Sequence, residues 1–355
     1  MTQWRVEGRT ITAAYANDRP ALAAPGQDGR FVILELDPDD KGAETFSPQL
    51  DQPATVVVTQ MADVRTASGA LYPPNPAEII NTRQLNLIVD DFQQFRFTDP
   101  QTGLQLSYNL FVPKDYDAAK SYPLVLFMHD LGVTGTNPMR TLQQGLGAIS
   151  FASPADQAKH PAFVLAPQYP APLANDQSQL SDYPDITIRL IQDLMTRYRI
   201  DADRLYATGQ SGGCMASIGL NLKYRDFFAA SLLVAGQWDP AVVAPLAQAK
   251  LWIIVSQDDD KAWPGMNALV DVLERNGAKV SRDVWNGRAE RAAREALVEQ
   301  SLSRGAGANI FLTSFQKGTV IPAGADTRGA SGHVWTWPLA YDIAGVRDWL
   351  FRQTR

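Results

Sequence analysis

Only one cysteine, Cys214, occurs in the 355 residues, so no disulfide can form within the chain. That suits a reducing compartment without excluding export. No stretch reaches 18 consecutive apolar residues, so no transmembrane helix is expected. The opening MTQWRVEGRTITAAYA has no long apolar segment, so no signal peptide is expected. The compartment stays open between the cytoplasm and export with a signal removed. Lys and Arg total 32 against 38 Asp and Glu, a net charge of −6, and no basic run occurs. A nucleic-acid binder normally carries a basic patch, so neither nucleic acid nor a membrane is an expected partner. HExxH, Cys/His clusters and EF-hand loops are missing. Gly132 and Gly135, in LGVTGTNP, lack the P-loop lysine and the Rossmann spacing. No metal and no cofactor are expected.

What is present is an ordinary globular balance, 45% hydrophobic and 20% charged, long enough to bury a core without staples. Residues 1–92 carry short β-rich runs, FVILEL (31–36), ATVVVTQ (54–60) and QLNLIV (84–89), separated by Pro, Gly, Asp and Asn. This spacing predicts a small β-sandwich, with the Pro-rich YPPNPAEI (72–79) as a loop. From residue 93 the pattern changes. QQFRFT and LQLSYNLFVP read as a hairpin joined by DPQTG. Apolar runs at 123–129, 162–168, 204–209, 230–236, 251–256 and 309–315 then alternate with helical patterns at 185–200, 264–277, 291–305 and 340–353. Near-continuous apolar runs suit strands buried on both faces. The alternation predicts an α/β fold with a mostly parallel sheet over residues 93–355. The segment from Gly132 to His160, rich in Gly, Pro, Thr and Gln, is expected to cap the site.

The stretch YATGQSGGC (206–214) places Ser211 between glycines, after a strand and before a helical run. G-x-S-x-G on a strand-to-helix turn is the nucleophile elbow of the α/β-hydrolases. Bulky side chains at Gly209 and Gly213 would collide with the neighbouring strand or helix. The bare pattern arises by chance in roughly one chain in ten of this length, so the weight rests on the flanking strand and helix. A serine needs a base. Of the three histidines, His333 alone follows Ser211, as the order serine, acid, histidine requires. His129 ends a strand where the oxyanion loop starts and is read as shaping that loop; His160 is read as an exposed loop residue. The N–H groups of Gly212 and of a residue near Leu131 are the expected oxyanion donors. The acid belongs after the 251–256 strand, where Asp258, Asp259 and Asp260 are adjacent, and spacing leaves the choice open. Cys214 is read as a small buried residue. Trp238, Trp263 and Trp335, with Trp337, are candidates for the substrate pocket.

Together RIDADRLYATGQSGG, VSQDDDKAWPGMN and GHVWTWPLAYDIAGVRDWLFRQ resemble α/β-hydrolase esterases that carry an N-terminal immunoglobulin-like domain, related to poly-hydroxyalkanoate depolymerases and feruloyl esterases. The resemblance covers residues 93 to the end, and the first 92 match the extra domain in size and character. It implies a Ser–Asp–His triad with Asp259 as the acid and Asp260 as second choice. Asp258 stands where that family commonly has glycine, and Asp130 departs from the commoner His-Gly form of the oxyanion loop. The expected function is a serine carboxylic-ester hydrolase acting through an acyl-enzyme on short- to medium-chain esters, with aryl and polymeric esters in the expected range. Two rivals are a prolyl-oligopeptidase-type serine peptidase and a non-catalytic binding protein on a hydrolase fold. The expected partner is a small-molecule or polymeric ester, with homo-oligomerisation left open.

Overall fold

The computed structural model describes residues 3–23, 25–47, 50 and 52–355. The chain divides into two units, Met1–Asn86 and Leu87–Arg355. The first is all β among its described residues. It holds β1 (Trp4–Val6), β2 (Ile11–Asn17), β3 (Phe31–Leu36), β4 (Val57–Gln60), β5 (Val64–Arg65), β6 (Leu71–Tyr72) and β7 (Asn75–Ile80). They form a three-stranded sheet β1-β4-β7 and two hairpins, β2-β3 and β5-β6.

Two sequence expectations for this unit need correction. Of the 72–79 stretch expected as a loop, residues 75–79 lie in strand β7 despite Pro76. The proline fits because β7 is an edge strand and its register with β4 shifts between Val58 and Gln60. Residues 84–89, expected as a strand, form none; a 3-10 turn follows at Val89–Asp91. Val89 and Phe92 are buried, and the Phe92 ring lies 5.6 Å from that of Phe111, so residues 89–92 pack within the second unit.

The second unit contains strands β8 (Gln93–Thr98), β9 (Gln105–Phe111), β10 (Tyr122–Met128), β11 (Phe163–Gln168), β12 (Ile200–Gln210), β13 (Ala230–Val234), β14 (Leu251–Ser256), β15 (Val280–Trp285) and β16 (Ile310–Phe315). Its helices are α1 (Met139–Gln143), α2 (Leu146–Ala152), α3 (Pro154–Lys159), α4 (Tyr183–Arg197), α5 (Gly212–Lys223), α6 (Ala262–Arg275), α7 (Arg291–Arg304), α8 (Ser331–Val334), α9 (Thr336–Asp342) and α10 (Ala344–Phe351). The nine strands form one sheet in the order β15-β16-β14-β13-β12-β10-β11-β9-β8. Pairing is parallel from β15 to β11, and antiparallel for β11-β9 and β9-β8. This is an α/β-hydrolase fold behind a small all-β domain.

The central strands are buried on both faces, which explains their unbroken apolar runs. In β10, Leu124, Leu126 and Met128 join the core under α4, while Phe127 meets Tyr341 of α9 edge-on. In β14, Leu251, Ile253 and Val255 pack with α6, and Trp252 stacks on Phe311 at 4.7 Å. Each such buried large side chain contributes roughly 1.5–3 kcal/mol.

The 132–160 segment is not a cap. Its helix α2 is part of the core: Phe151 is fully buried, and Gly147 lies so close to Phe127 that a Cβ there would fall 2.0 Å from the ring. The expected single helix at 340–353 is two, because Glu295 of α7 accepts the N–H groups of Ala344 and Gly345 and starts α10 afresh. Strand β15 escaped the sequence reading; its VSRDVW carries charges at Arg282 and Asp283 instead of an apolar run.

The DPQTG turn is tied into the unit by Asp99. Its buried carboxylate accepts from Thr102 and from both Nε and an Nη of Arg189 on α4. The Arg189 hydrogen bond leads in holding its pKa down to about 2. Because the folded value is depressed, the stabilisation is fully present above the ordinary carboxylate range and is lost as pH falls through about 2. Asp99→Ala strips Arg189 of its partner and is expected to destabilise the protein by on the order of 3 kcal/mol near neutral pH. Urea unfolding at pH 7 and pH 2.5 checks this, with the gap between wild type and variant narrowing at the lower pH.

Candidate active site

Strand β12 ends at Gln210, and Ser211 follows with φ 51° and ψ −117° before α5 begins. A side chain bearing Cβ reaches this region only under strain. The surroundings hold it there. The Ser211 N–H donates to Val234 O at 3.0 Å, and Ser211 O accepts from Met215 N at 3.0 Å. The flanking glycines are steric requirements. A Cβ on Gly213 would lie 2.0 Å from Met128 O, and one on Gly209 would lie 2.5 Å from the Gly213 carbonyl carbon.

Met128 leads into the loop that passes over α5. His129 is buried, and its Nε2 accepts the Tyr169 backbone N–H at 2.9 Å, so Nδ1 carries the proton and donates to Asp130 O at 2.6 Å. Burial lowers its pKa and keeps the ring neutral. Asp130 caps the next turn by accepting the Gly132 N–H, while its own N–H donates to Gln144 Oε1 at 3.0 Å. Gln168, buried at the end of β11, braces the loop from below: its Nε2 donates to Val133 O at 2.7 Å and Gly135 O at 3.1 Å, and its Oε1 accepts from Thr141 N. Nothing in the pattern of the sequence singled this glutamine out.

Gly212 opens α5, so its N–H has no acceptor within the helix. A Cβ built on Gly212 would fall 2.8 Å from Leu131 Cγ and 3.6 Å from Leu131 N, which brings these two backbone groups together beside Ser211.

Of the three adjacent aspartates, Asp259 meets the histidine. It is buried, and its Oδ2 accepts from His333 Nδ1. Its Oδ1 accepts from Ala262 N at 2.8 Å and Lys261 N at 3.2 Å, at the start of α6. Burial opposes its ionisation, but the His333 hydrogen bond and charge, with the two N–H groups, outweigh it, and the pKa lies below the ordinary value. Asp260 is exposed, and Asp258 faces the backbone of Gly318 instead. With Nδ1 engaged by Asp259, the other ring nitrogen of His333 is the one left for chemistry. Ser211, His333 and Asp259 share the wall of one cavity of about 430 Å³, with Leu131, Met215 and Gln237.

The tryptophans fall elsewhere. Trp238 is packed in the hydrophobic core with Val243 and Leu246, so the expectation that it lines the pocket is corrected. Trp263 and Trp335 are half-exposed, and neither is among the residues of the cavity wall named above; Trp263 Nε1 donates to Ser314 Oγ at 3.3 Å. The tryptophan that touches the site is Trp337, edge-on to the His333 ring at 5.3 Å. His160 is partly buried, paired with Asp348 and stacked on Phe351. Cys214 lies fully buried one turn into α5, and burial raises its thiol pKa far out of the reactive range. Among the described residues no group of three or more His, Cys, Asp or Glu is placed to hold a metal, and no helix is long and apolar enough to cross a membrane.

Residues 1–73 match the family model described as the esterase Ig-like N-terminal domain. A crystal structure described as a thermostable esterase is similar at 27% identity, with 99% of this chain and 90% of that one covered and a TM-score of 0.81. A ferulic acid esterase from the anaerobic fungus Anaeromyces mucronatus aligns at 14% identity over 72% of this chain and 91% of its own, with a TM-score of 0.46. An S-formylglutathione hydrolase from Staphylococcus aureus aligns at 12% over 74% and 96%, with a TM-score of 0.47. Among curated proteins, none matches the sequence. The chain thus joins an esterase-type immunoglobulin-like domain to an α/β-hydrolase fold.

Two outcomes follow for this site. Gly213→Ala forces a Cβ against the Met128 carbonyl and is expected to destabilise the protein by at least about 2 kcal/mol, measured by chemical unfolding. The Cys214 thiol is expected to stay unreactive toward a thiol-specific dye in the native state and to react stoichiometrically once the protein is unfolded.

Proposed function

We propose that the protein is a serine carboxylic-ester hydrolase working through an acyl-enzyme. The observation that carries this is the His333–Asp259 hydrogen bond, set in the same cavity as the strained Ser211 turn. The similarity to a thermostable esterase across nearly the whole chain supports it.

In this reading His333 takes the Ser211 proton as Oγ attacks the ester carbonyl carbon. Asp259 holds the ring in the tautomer with its proton on Nδ1 and stabilises the imidazolium that forms. The carbonyl oxygen gains its negative charge beside the N–H groups of Gly212 and Leu131, and the α5 N-terminus adds positive potential there. Collapse of the tetrahedral adduct breaks the carbonyl–alkoxy bond, and His333 gives its proton to the leaving alcohol. Water then attacks the acyl-enzyme, again with His333 as base, and the acid departs with Ser211 restored.

The cavity size suits short- to medium-chain esters, since pockets of this order enclose small ligands. Its apolar contacts include Leu131 and Met215, both aliphatic. Aryl and polymeric esters belong to the same proposed class, but the tryptophans that suggested them supply no ground for preferring them.

The test is hydrolysis of p-nitrophenyl esters from acetate to palmitate, with a ferulate ester and a peptide anilide alongside. Activity is expected on the short members. Ser211→Ala is expected to lower kcat by on the order of a millionfold, and Asp259→Asn by about 10⁴-fold through the wrong His333 tautomer. A wild-type protein inert on every ester sinks the reading; anilide turnover matching ester turnover favours a peptidase.

A further inference from the structure

Asp259 and His333 come from different loops, and their meeting depends on how the second loop is anchored. After β16 the chain turns at Gln316–Thr319, runs through residues 320–330 and enters α8, which carries His333. Two consecutive side chains of the acid loop grip the root of this excursion. Gln257 Oε1 accepts the Lys317 N–H at 3.0 Å, and both carboxylate oxygens of Asp258 accept the Gly318 N–H, at 3.0 and 2.8 Å. Asp258 is itself held: its N–H donates to Oγ of the buried Ser256 at 3.0 Å.

The far end of the excursion returns to the same residue. Gly332, immediately before His333, passes so close to Asp258 that a Cβ on it would lie 2.5 Å from Asp258 Cβ and 2.5 Å from Asp258 O. Asp258 therefore touches both feet of the loop, at Gly318 and at Gly332, while its neighbour Asp259 binds the histidine at the end of it.

We propose that Asp258 is a positioning residue, a clasp that closes the base of the 319–331 loop and sets His333 against Asp259. The proposal rests on the esterase reading for its kinetic consequence, and on the geometry alone for the clasp. The working element is the hydrogen-bond acceptor and not the net charge, because the partner is a neutral backbone N–H. Asparagine keeps an acceptor at that place; alanine removes it.

The experiment compares wild type, Asp258→Ala and Asp258→Asn by amide hydrogen exchange, by steady-state kinetics on a short ester, and by the proton NMR signal of His333 Nδ1–H. In Asp258→Ala, exchange at Lys317, Gly318 and residues 331–334 is expected to rise by about tenfold or more, with the rest of the sheet unchanged. Its kcat is expected to fall roughly ten- to a hundredfold with KM near the wild-type value, because misplacing a catalytic group acts on the reaction step. The Nδ1 proton signal is expected to broaden. Asp258→Asn is expected to recover most of both exchange protection and kcat. Unchanged exchange at Gly318 in the alanine variant overturns the clasp, as does loosened exchange with wild-type kcat. An asparagine variant as impaired as alanine overturns the acceptor argument. Should the wild type cleave no ester, the esterase reading falls, and the exchange and NMR arms still decide the clasp.

Discussion

The catalytic unit is organised around one close approach, that of the α5 N-terminus to the end of β10. Gly213 comes so near Met128 that no side chain fits between them, and Gly209 is likewise too near the backbone of Gly213 to carry one. This contact lets the chain reverse from strand to helix within one residue. That residue is Ser211, left in a backbone conformation it would not choose alone. The same contact brings the Leu131 and Gly212 backbones side by side, because the loop after Met128 has nowhere to go but over the start of α5. The strained serine and the two neighbouring backbone N–H groups thus follow from a single steric fact. The strain at Ser211 is small beside the burial of the strands around it, in which Met128, Leu205 and Leu233 are almost wholly covered.

Much of this was legible in the residues, for reasons that can be named. A parallel strand covered on both faces must be apolar throughout, so LWIIVS announced β14 to the residue. A Gly-x-Ser-x-Gly between such a strand and a helical run has few other uses. Where the sequence misled, longer-range partners decide. Pro76 argued against a strand, yet an edge position with an irregular register tolerates it. The break between α9 and α10 depends on Glu295, which lies far back in the chain. Trp263, Trp335 and Trp337 looked like pocket residues because they flank the expected acid and histidine in sequence, and Trp238 because it follows the strand after the Ser211 turn. Neighbours in sequence point in different directions, however, and the ring that meets His333 of α8 is that of Trp337, on α9.

The three adjacent aspartates show why position in sequence could not choose among them. Successive residues leaving the end of a strand face different ways, and each found different work. Asp259 turns inward, to the histidine and the first N–H groups of α6; Asp260 faces solvent; Asp258 turns to the backbone of the neighbouring loop. Read along the chain, Asp258 is an added negative charge beside the acid. Placed in the fold, its carboxylate is occupied by a backbone N–H, and much of its value is geometric.

The two histidines beside Ser211's neighbourhood make the same point about environment. His129 and His333 both stand at the ends of elements that converge on the cavity. Yet His129 has both ring nitrogens committed to backbone groups, at Tyr169 and Asp130, and burial disfavours its charged form. A ring so engaged cannot receive a further proton without breaking a bond that holds the loop after β10. His333 commits one nitrogen, to a carboxylate that stabilises positive charge, and presents the rest of its ring to the cavity and to the edge of Trp337. In the proposed reaction the base gains charge as serine attacks, and a histidine paired with an ionised carboxylate is the better placed of the two to carry it. The difference between the two rings is therefore set by what each nitrogen faces: backbone groups around the loop after β10 for His129, and the carboxylate of Asp259 for His333.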